Sequence, residues 1–525
     1  MVLRSPALVL GTLLVFTRVS LAAQCPDGSL PPCRPAAPRS GGPTRSGVAV
    51  LYFDNLSRDS TYAYLADGLT EELILKLGGV GQLDVRSRFA VRRYKGRLPD
   101  DPAAVGRALD VTYLVSGSVR PGRDRVRVTV EVVRTTTGAR VWSGELDRPS
   151  GDLLAVTDEV AQVVAHGIVG RLAPGEEAAL ATRATQSPQA YEHFIRANYA
   201  IALRTPRAVL QALDEYQTAL RLDPGYTAAR ARTAYAYAML YAWDWSHPTL
   251  PAESLLARGV GEAEQALQQD STSSDAWMAY GMLHWFLAPY DGVVSLLAHA
   301  RSVALDPDNA EAHQLLGMAL MNVGRNSDAA AAFQRALAIE PGRPITLLRL
   351  SEISWMAHDY DGARRLLDTL IAASPGFYNA YEDRVALLLQ AGDTTAARKD
   401  AELCYRLAPD DYVPTRATLA WVQVVEGDTA HARHGMDSVL ALVDRKGDDL
   451  APWLSLVLPP VLALGDTARA LEYVERAGPR GAYLWALLRW PTLEPLLPFP
   501  RYQRVMEESR PPGATLVPGT SLPSH

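Results

Sequence analysis

Hydrophobic and polar positions divide the chain into two regimes. Val48 to Phe53 is nearly continuously apolar, the pattern of a strand buried on both faces. Leu65, Leu69, Leu73 and Leu77 then recur four apart, on one face of a helix predicted over 62–77. Residues 83–88 (LDVRSR) read as a second strand and 102–109 as a short helix. The period then changes to two: Val126, Val128, Val130 and Val132 alternate with Arg125, Arg127, Thr129 and Glu131. Turn signals at Pro121-Gly122 and Thr137-Gly138 cut 113–147 into a three-strand meander, and 153–172 closes the regime as an amphipathic helix. From 186 onward the helical period dominates, with a longer period laid over it. Pro307, Pro341, Pro375 and Pro409 stand 34 residues apart. Proline is 36 of 525 residues, so three successive hits have a chance of roughly 3 in 10,000. Ala329, Ala363 and Ala397 share one position, Phe333, Leu367 and Ala401 the position four later, and Ala336, Leu370 and Cys404 the position three after that. Small residues let paired helices approach, larger ones plug the gap, and proline ends each unit. Looser copies at Ala212, Tyr216, Ala219 and Pro224, and at Trp277, Tyr280 and Gly281, bring the expectation to about eight helix pairs.

The expected fold is multidomain: an α/β module at 47–172, an all-α solenoid at 186–480, and a helical cap at 481–510. Residues 241–256 read as an inserted loop. Thirty-four residues is the tetratricopeptide period, and the solenoid resembles that repeat family. The segments VAVLYFDNLS, YLADGLTEELILKL, LDVRSRFAVRRYKG, YLVSGSVRPGRDRVRVTVEVV and TGARVWSGELDR, in that order, resemble the TolB amino-terminal-like domain. The resemblance implies an α/β domain of the kind written beside tetratricopeptide repeats in bacterial proteins. It implies kinship with envelope assembly proteins and supplies no catalytic residues. Relatives of the module are also joined to kinases, nucleotide cyclases or winged-helix regulators. In this chain an export signal stands in their usual place.

That signal is expected over 1–23. Arg4 precedes the apolar run Ala7–Phe16, too short to cross a bilayer but suited to a secretory signal peptide, with cleavage after Ala22 or Ala23. A cytoplasmic tail is the competing reading. Residues 24–46 read as a turn and linker in which Cys25 and Cys33 bracket CPDGSLPPC, a small disulfide loop in an oxidising compartment. Lipid modification of Cys25 is the alternative, set back by Gln24. Residues 511–525 read as a disordered tail. These features place the mature chain in the periplasm, with secretion or lipid anchoring as variants. Composition excludes a disordered chain, at 48% hydrophobic and 21% charged. A net charge of −6 argues against a general nucleic-acid binder.

Candidate chemistry is sparse. Residues 86–97 hold Arg86, Arg88, Arg92, Arg93, Lys95 and Arg97 without an acid. Arg92, Arg93 and Lys95 are the candidate anion-binding residues; a solvated strand end balanced by acids elsewhere is the alternative. There is no HExxH and no GxSxG, and Gly78, Gly79 and Gly81 read as a helix stop. DPDNAE (306–311) lacks the central glycine of a calcium loop. No enzyme activity, cofactor or metal is therefore expected. What remains is surface. The first helices of the repeats should present Glu311, Gln314, Met318, Asn322, Glu352, Trp355, Asn379, Glu382 and Gln390 to a groove. Asn and Gln would hold a bound backbone and Trp355 would anchor it. The expectation is an exported, non-catalytic scaffold that binds a peptide or protein segment of the cell envelope, with oligomeric state open. The alternative is a ligand sensor whose α/β module binds a nucleotide or other anion.

Overall fold

The structure is a computed structural model and describes residues 45–57, 62–92, 94–96, 101–149, 153–243, 245–288, 290, 292–408, 412–446, 453–478, 480–512 and 514. The expected signal peptide, the Cys25–Cys33 loop, Arg93, Arg97, Pro409 and residues 515–525 lie outside these.

Strand β1 (Ser46–Val50) is central in a mixed sheet because both of its faces are apolar. It runs parallel to β3 (Leu83–Val85) on one side and to β4 (Tyr113–Pro121) on the other. Between them in the chain come β2 (Asp54–Asn55), which also pairs with β4, and helix α1 (Ala63–Gly78). Helices α2 (Arg88–Arg92) and α3 (Pro102–Leu109) precede β4, and β4 continues antiparallel into β5 (Arg125–Arg134) and β6 (Arg140–Pro149). Helix α4 (Leu153–Val169) closes the module. Val48, Val50 and Phe53 face the core made with α1 and α4, whereas Ala49, Leu51 and Tyr52 face α2 and α3. The valines of β5 join the first core, and its arginines lie on the solvated face, paired with Asp147 and Glu145 of β6. The second strand is shorter than the predicted 83–88. The Arg86 amide still donates to the Val48 carbonyl of β1 while its guanidinium donates to the carbonyls of Leu109 and Asp110, and the chain then turns into α2.

Among the described residues, helix α5 (Pro174–Ala181) leads into eight helix pairs. They are α6 (Pro188–Ile201) with α7 (Pro206–Leu222), α8 (Thr227–Ala242) with α9 (Ala252–Gln269), α10 (Ser274–His284) with α11 (Val293–Leu305), and α12 (Ala310–Asn322) with α13 (Asn326–Ile339). There follow α14 (Pro344–Met356) with α15 (Tyr360–Ala373), α16 (Tyr378–Gln390) with α17 (Thr394–Leu407), α18 (Pro414–Val425) with α19 (Thr429–Lys446), and α20 (Leu454–Ala463) with α21 (Thr467–Arg476). Pro307, Pro341 and Pro375 each stand two residues beyond the end of a second helix, which is how the 34-residue spacing arises. Ala329, Phe333 and Ala336, and their counterparts one and two repeats on, are all buried. A side chain at Gly317 would meet the Phe333 ring at 2.5 Å, so the first helix must be bare there for the second to plug it. The expected loop 241–256 is narrower, because α9 already begins at Ala252.

In six of the pairs the turn takes one left-handed residue. It is glycine at Gly324, Gly392, Gly427 and Gly465, but a side chain at Arg204 and His358. Beyond the pairs, α22 (Ala482–Leu487), a 3-10 turn (Pro491–Leu496) and α23 (Pro500–Ser509) pack on α20 and α21.

The module and the first pair share one core. Ile195 of α6 lies against Gly68 of α1, and Lys76 of α1 donates to the carbonyls of Leu180 and Thr182 and pairs with Asp158 of α4 at 2.9 Å. A second tie crosses the repeats. Glu311 of α12 accepts from Arg204 and Arg343, each at 2.5 Å through Oε2, and from the Tyr235 hydroxyl at 2.9 Å through Oε1. Burial alone would raise this carboxyl, but the two guanidinium groups hold it well below the usual range. Substitution Glu311→Gln should therefore cost about 3 kcal/mol, because the buried Arg343 loses one of its two carboxylates and keeps only Glu340. Chemical denaturation at neutral pH would measure this.

Candidate functional site: the first-helix face of the repeats

A tetratricopeptide array offers the first helix of each pair as a binding face, built here by α10, α12, α14, α16, α18 and α20. In this chain that face is covered by the chain itself. The Ala482 amide donates to the Tyr290 carbonyl at 2.7 Å, and Tyr483 meets Trp285 at the end of α10 edge to face. Trp490 stands at 83° to Trp355 of α14, with ring centroids 5.3 Å apart. Glu494 lies 3.5 Å from His358, and the Thr492 hydroxyl donates to the Ser455 carbonyl of α20. The segment 482–496 thus reaches from the end of α10 across α14 to α20.

Most of the expected groove residues are engaged within the chain, some by the segment 482–496 and others by neighbouring repeats. Glu311, Gln314, Glu352, Trp355 and Glu382 are buried, Met318, Asn322 and Asn379 are half-buried, and Gln390 is exposed. Gln314 accepts from Arg343 and Thr346 rather than meeting an open groove, and Glu352 takes both of its bonds from Arg349 at 2.6 and 2.7 Å. Met318 packs between two hydrophobic clusters. Asn322 borders a small cavity with Trp285, Tyr290 and Tyr483. Asn379 donates to the Tyr412 hydroxyl, which in turn donates to Glu382 Oε2 at 3.1 Å. An open face carrying all nine residues is therefore not what forms. A polar helix face at this spacing meets its own chain first.

The anion candidates are similarly engaged. Lys95 binds the Asp67 carboxylate and lies over the Tyr52 ring, and Arg92 lies 3.7 Å from Glu340, just past the end of α13. Arg88 pairs with Glu71 at 3.0 Å. The basic stretch of the sequence is balanced by carboxylates distant along the chain, and Arg92 and Lys95, both half-exposed, each face one of them.

The electrostatics concentrate in α14 and α16. Burial raises the Glu382 carboxyl to about 7, offset in part by the Tyr412 hydrogen bond. Burial, with Glu352 and Glu382 beside it, pushes Asp383 well above the usual range. On α11, burial lowers His299 to about 3, and neither ring nitrogen has a partner among the described residues. Asp383, Trp421 and Trp490 escaped the sequence reading. So did Arg204 and His358, yet a signal existed for these two. In the pattern Gly392-Asp393-Thr394 the left-handed residue is glycine, and Arg204 and His358 occupy that same position. A side chain there is conformationally costly, and both of these reach across to an acid, Glu311 and Glu494.

The tetratricopeptide repeat family model matches residues 323–383. "Putative adenylate cyclase 3" of Rhizobium meliloti (strain 1021) is 33% identical over 242 residues, 46% of this chain and 40% of that protein, so the chain spans less than half of that relative's length. Among solved structures, the type IV pilus biogenesis factor PilW is 18% identical with a TM-score of 0.34, covering 40% of this chain and 92% of PilW. Yeast Tom70 is 12% identical with a TM-score of 0.37, covering 62% of this chain and 66% of Tom70.

Two outcomes check the site. A Cβ at Gly481 would lie 2.2 Å from the Tyr290 carbonyl oxygen. Gly481→Ala should lower stability by about 1–3 kcal/mol and speed proteolysis within 482–510, read by thermal melting and limited digestion. The Glu382 carboxyl holds its proton longer in the folded chain than in the unfolded one, so its contribution to stability falls as pH rises from about 4.5 through about 7. The full effect is about 3 kcal/mol, and Glu382→Gln should remove most of that slope between melts at about pH 5 and about pH 8. The chain carries tetratricopeptide repeats, a protein-binding architecture whose first-helix face here already holds a segment of the same polypeptide.

Proposed function

We propose that this chain is an exported, non-catalytic interaction scaffold of the bacterial envelope. Its repeat groove takes a peptide or protein segment, and its α/β module is a TolB amino-terminal-like domain that docks a second envelope component. One observation carries the reading. The segment 482–496 lies on the first-helix face through a short helix, a 3-10 turn and two tryptophan or tyrosine contacts, the way an amphipathic ligand seats in a groove. The face is thus chemically fit for a peptide, and an incoming partner would compete with this segment. Asn322 and Gln390, at the margins of the covered face, are where such a partner would first touch.

A photo-crosslinking residue placed at Asn322 or Gln390 in the full chain should yield one discrete heterologous adduct in cells, identified by mass spectrometry. The same residue at Leu75, exposed on α1, should not. Adducts only to the chain's own 482–496 would sink the groove reading. Intact-mass analysis should find the mature chain beginning after Ala22 or Ala23.

The relative named an adenylate cyclase favours a second reading, a regulatory module that senses a nucleotide or other anion. It requires Arg92, Arg93 and Lys95 to exchange carboxylate partners for phosphate. Saturable thermal stabilisation by a phosphate-bearing ligand, lost in Lys95→Ala, would favour it over the scaffold.

A further inference from the structure

Trp355, Glu382, Asp383, Trp421, Ser455 and Trp490 surround a cavity between α14, α16, α18, α20 and the segment after α22. The enclosed space has room for about one water, and the volume of about 290 Å³ counted around it includes open solvent at the mouth. The chemistry of this wall is unbalanced. Glu382 and Asp383 are consecutive, buried, and without an ion-pair partner among the described residues. Glu382 Oε1 and Asp383 Oδ2 also lack any hydrogen-bond partner there. Arg349, whose charge acts on Asp383, has its Nη1 bonded to both oxygens of Glu352. Trp355 Nε1, a donor on a side chain 4% exposed, is unpartnered as well. Buried polar atoms left in this state cost about 1–3 kcal/mol each, and the wall offers two acceptors, one donor and three indoles to whatever satisfies them.

A ligand complementary to this set needs donors for two carboxyl oxygens, an acceptor for an indole N–H, and a positive charge that indole faces tolerate. A bare metal ion fails the indole donor, and an anion fails the carboxylates. We propose that the cavity binds a primary ammonium group carried next to an oxygen acceptor, the chemistry shared by the free amino end of a peptide and by a 2-amino alcohol. The ammonium takes the water-sized inner end and donates to Glu382 Oε1 and Asp383 Oδ2. The oxygen accepts from Trp355 Nε1, and the rest of the ligand runs toward the mouth past Trp490. This site does not depend on the groove reading, since its probes are small and leave the segment 482–496 in place.

The test is calorimetric titration of the full chain with four probes. Glycinamide mimics a peptide amino terminus and ethanolamine is the amino alcohol. Ethylammonium lacks the oxygen and N-acetylglycinamide lacks the charge. Saturable binding of glycinamide or ethanolamine is expected, about tenfold weaker for ethylammonium and undetectable for N-acetylglycinamide. Glycinamide alone would assign a peptide source, and ethanolamine alone an amino alcohol. Asp383→Asn should weaken the bound probe by at least about tenfold while the melting temperature stays near that of the parent. No binding by either oxygen-bearing amine, or binding of N-acetylglycinamide as tight as that of glycinamide, would overturn the proposal. That comparison uses the unaltered chain and decides the matter even where the variant fails to fold. Loss of cellular crosslinks from Gln390 with glycinamide binding intact would count against the groove alone.

Discussion

A buried carboxylate with two arginines is the constraint on which the repeat array turns. Glu311 sits on α12, Arg204 in the turn between α6 and α7, and Arg343 at the start of α14. No two of them are neighbours in sequence. Glu311 and Arg343 are both buried and need each other's charge, and Arg204 reaches in from the surface to the same carboxylate. Arg343 also meets Glu340, and Glu340 in turn faces Arg92 of the α/β module. The ionic chain thus runs from the first pair through the middle repeats to the module. It complements the apolar core that α1 and α4 share with Tyr191 and Ile195 of α6.

The second organising fact is that the first-helix face has an occupant. A repeat array that exposed Trp355 and Trp285 to water would leave a large apolar patch open. The segment after the last pair folds back over them, and its own aromatic residues supply the contacts. On the proposed reading, binding at this face would be an exchange, in which a partner must match what the segment already contributes. Exchange of this kind trades affinity for selectivity, because a weak partner cannot displace a covalently tethered competitor.

Covering the face has a chemical consequence. Glu352, Glu382 and Asp383 would be ordinary surface acids on open helices. In the interior they are desolvated, and burial raises the carboxyls of Glu382 and Asp383, with Glu352 and Glu382 adding to the rise at Asp383 and Arg349 offsetting it only in part. Arg349 neutralises Glu352 and leaves the other two unmatched. Unmatched buried acids are costly, which makes the cavity beside Trp490 the least satisfied place on this face.

The sequence by itself determined the local elements and their order. A period of two, a period near four and a period of 34 are consequences of how strands, helices and helix pairs present side chains, so they are legible without coordinates. Val126 to Val132 and the Ala329–Phe333–Ala336 triplet are such cases. The first-helix positions were legible too, as a set of polar and aromatic residues at repeat spacing. What covers them was not. Nothing in the order of residues places Trp490 against Trp355, sets Glu340 before Arg92, or leaves Asp383 without a cation. Those outcomes depend on how far the chain returns on itself and which charges meet when water is expelled. Only the tertiary structure decided them, because burial and charge balance belong to the assembled interior and not to any stretch of chain.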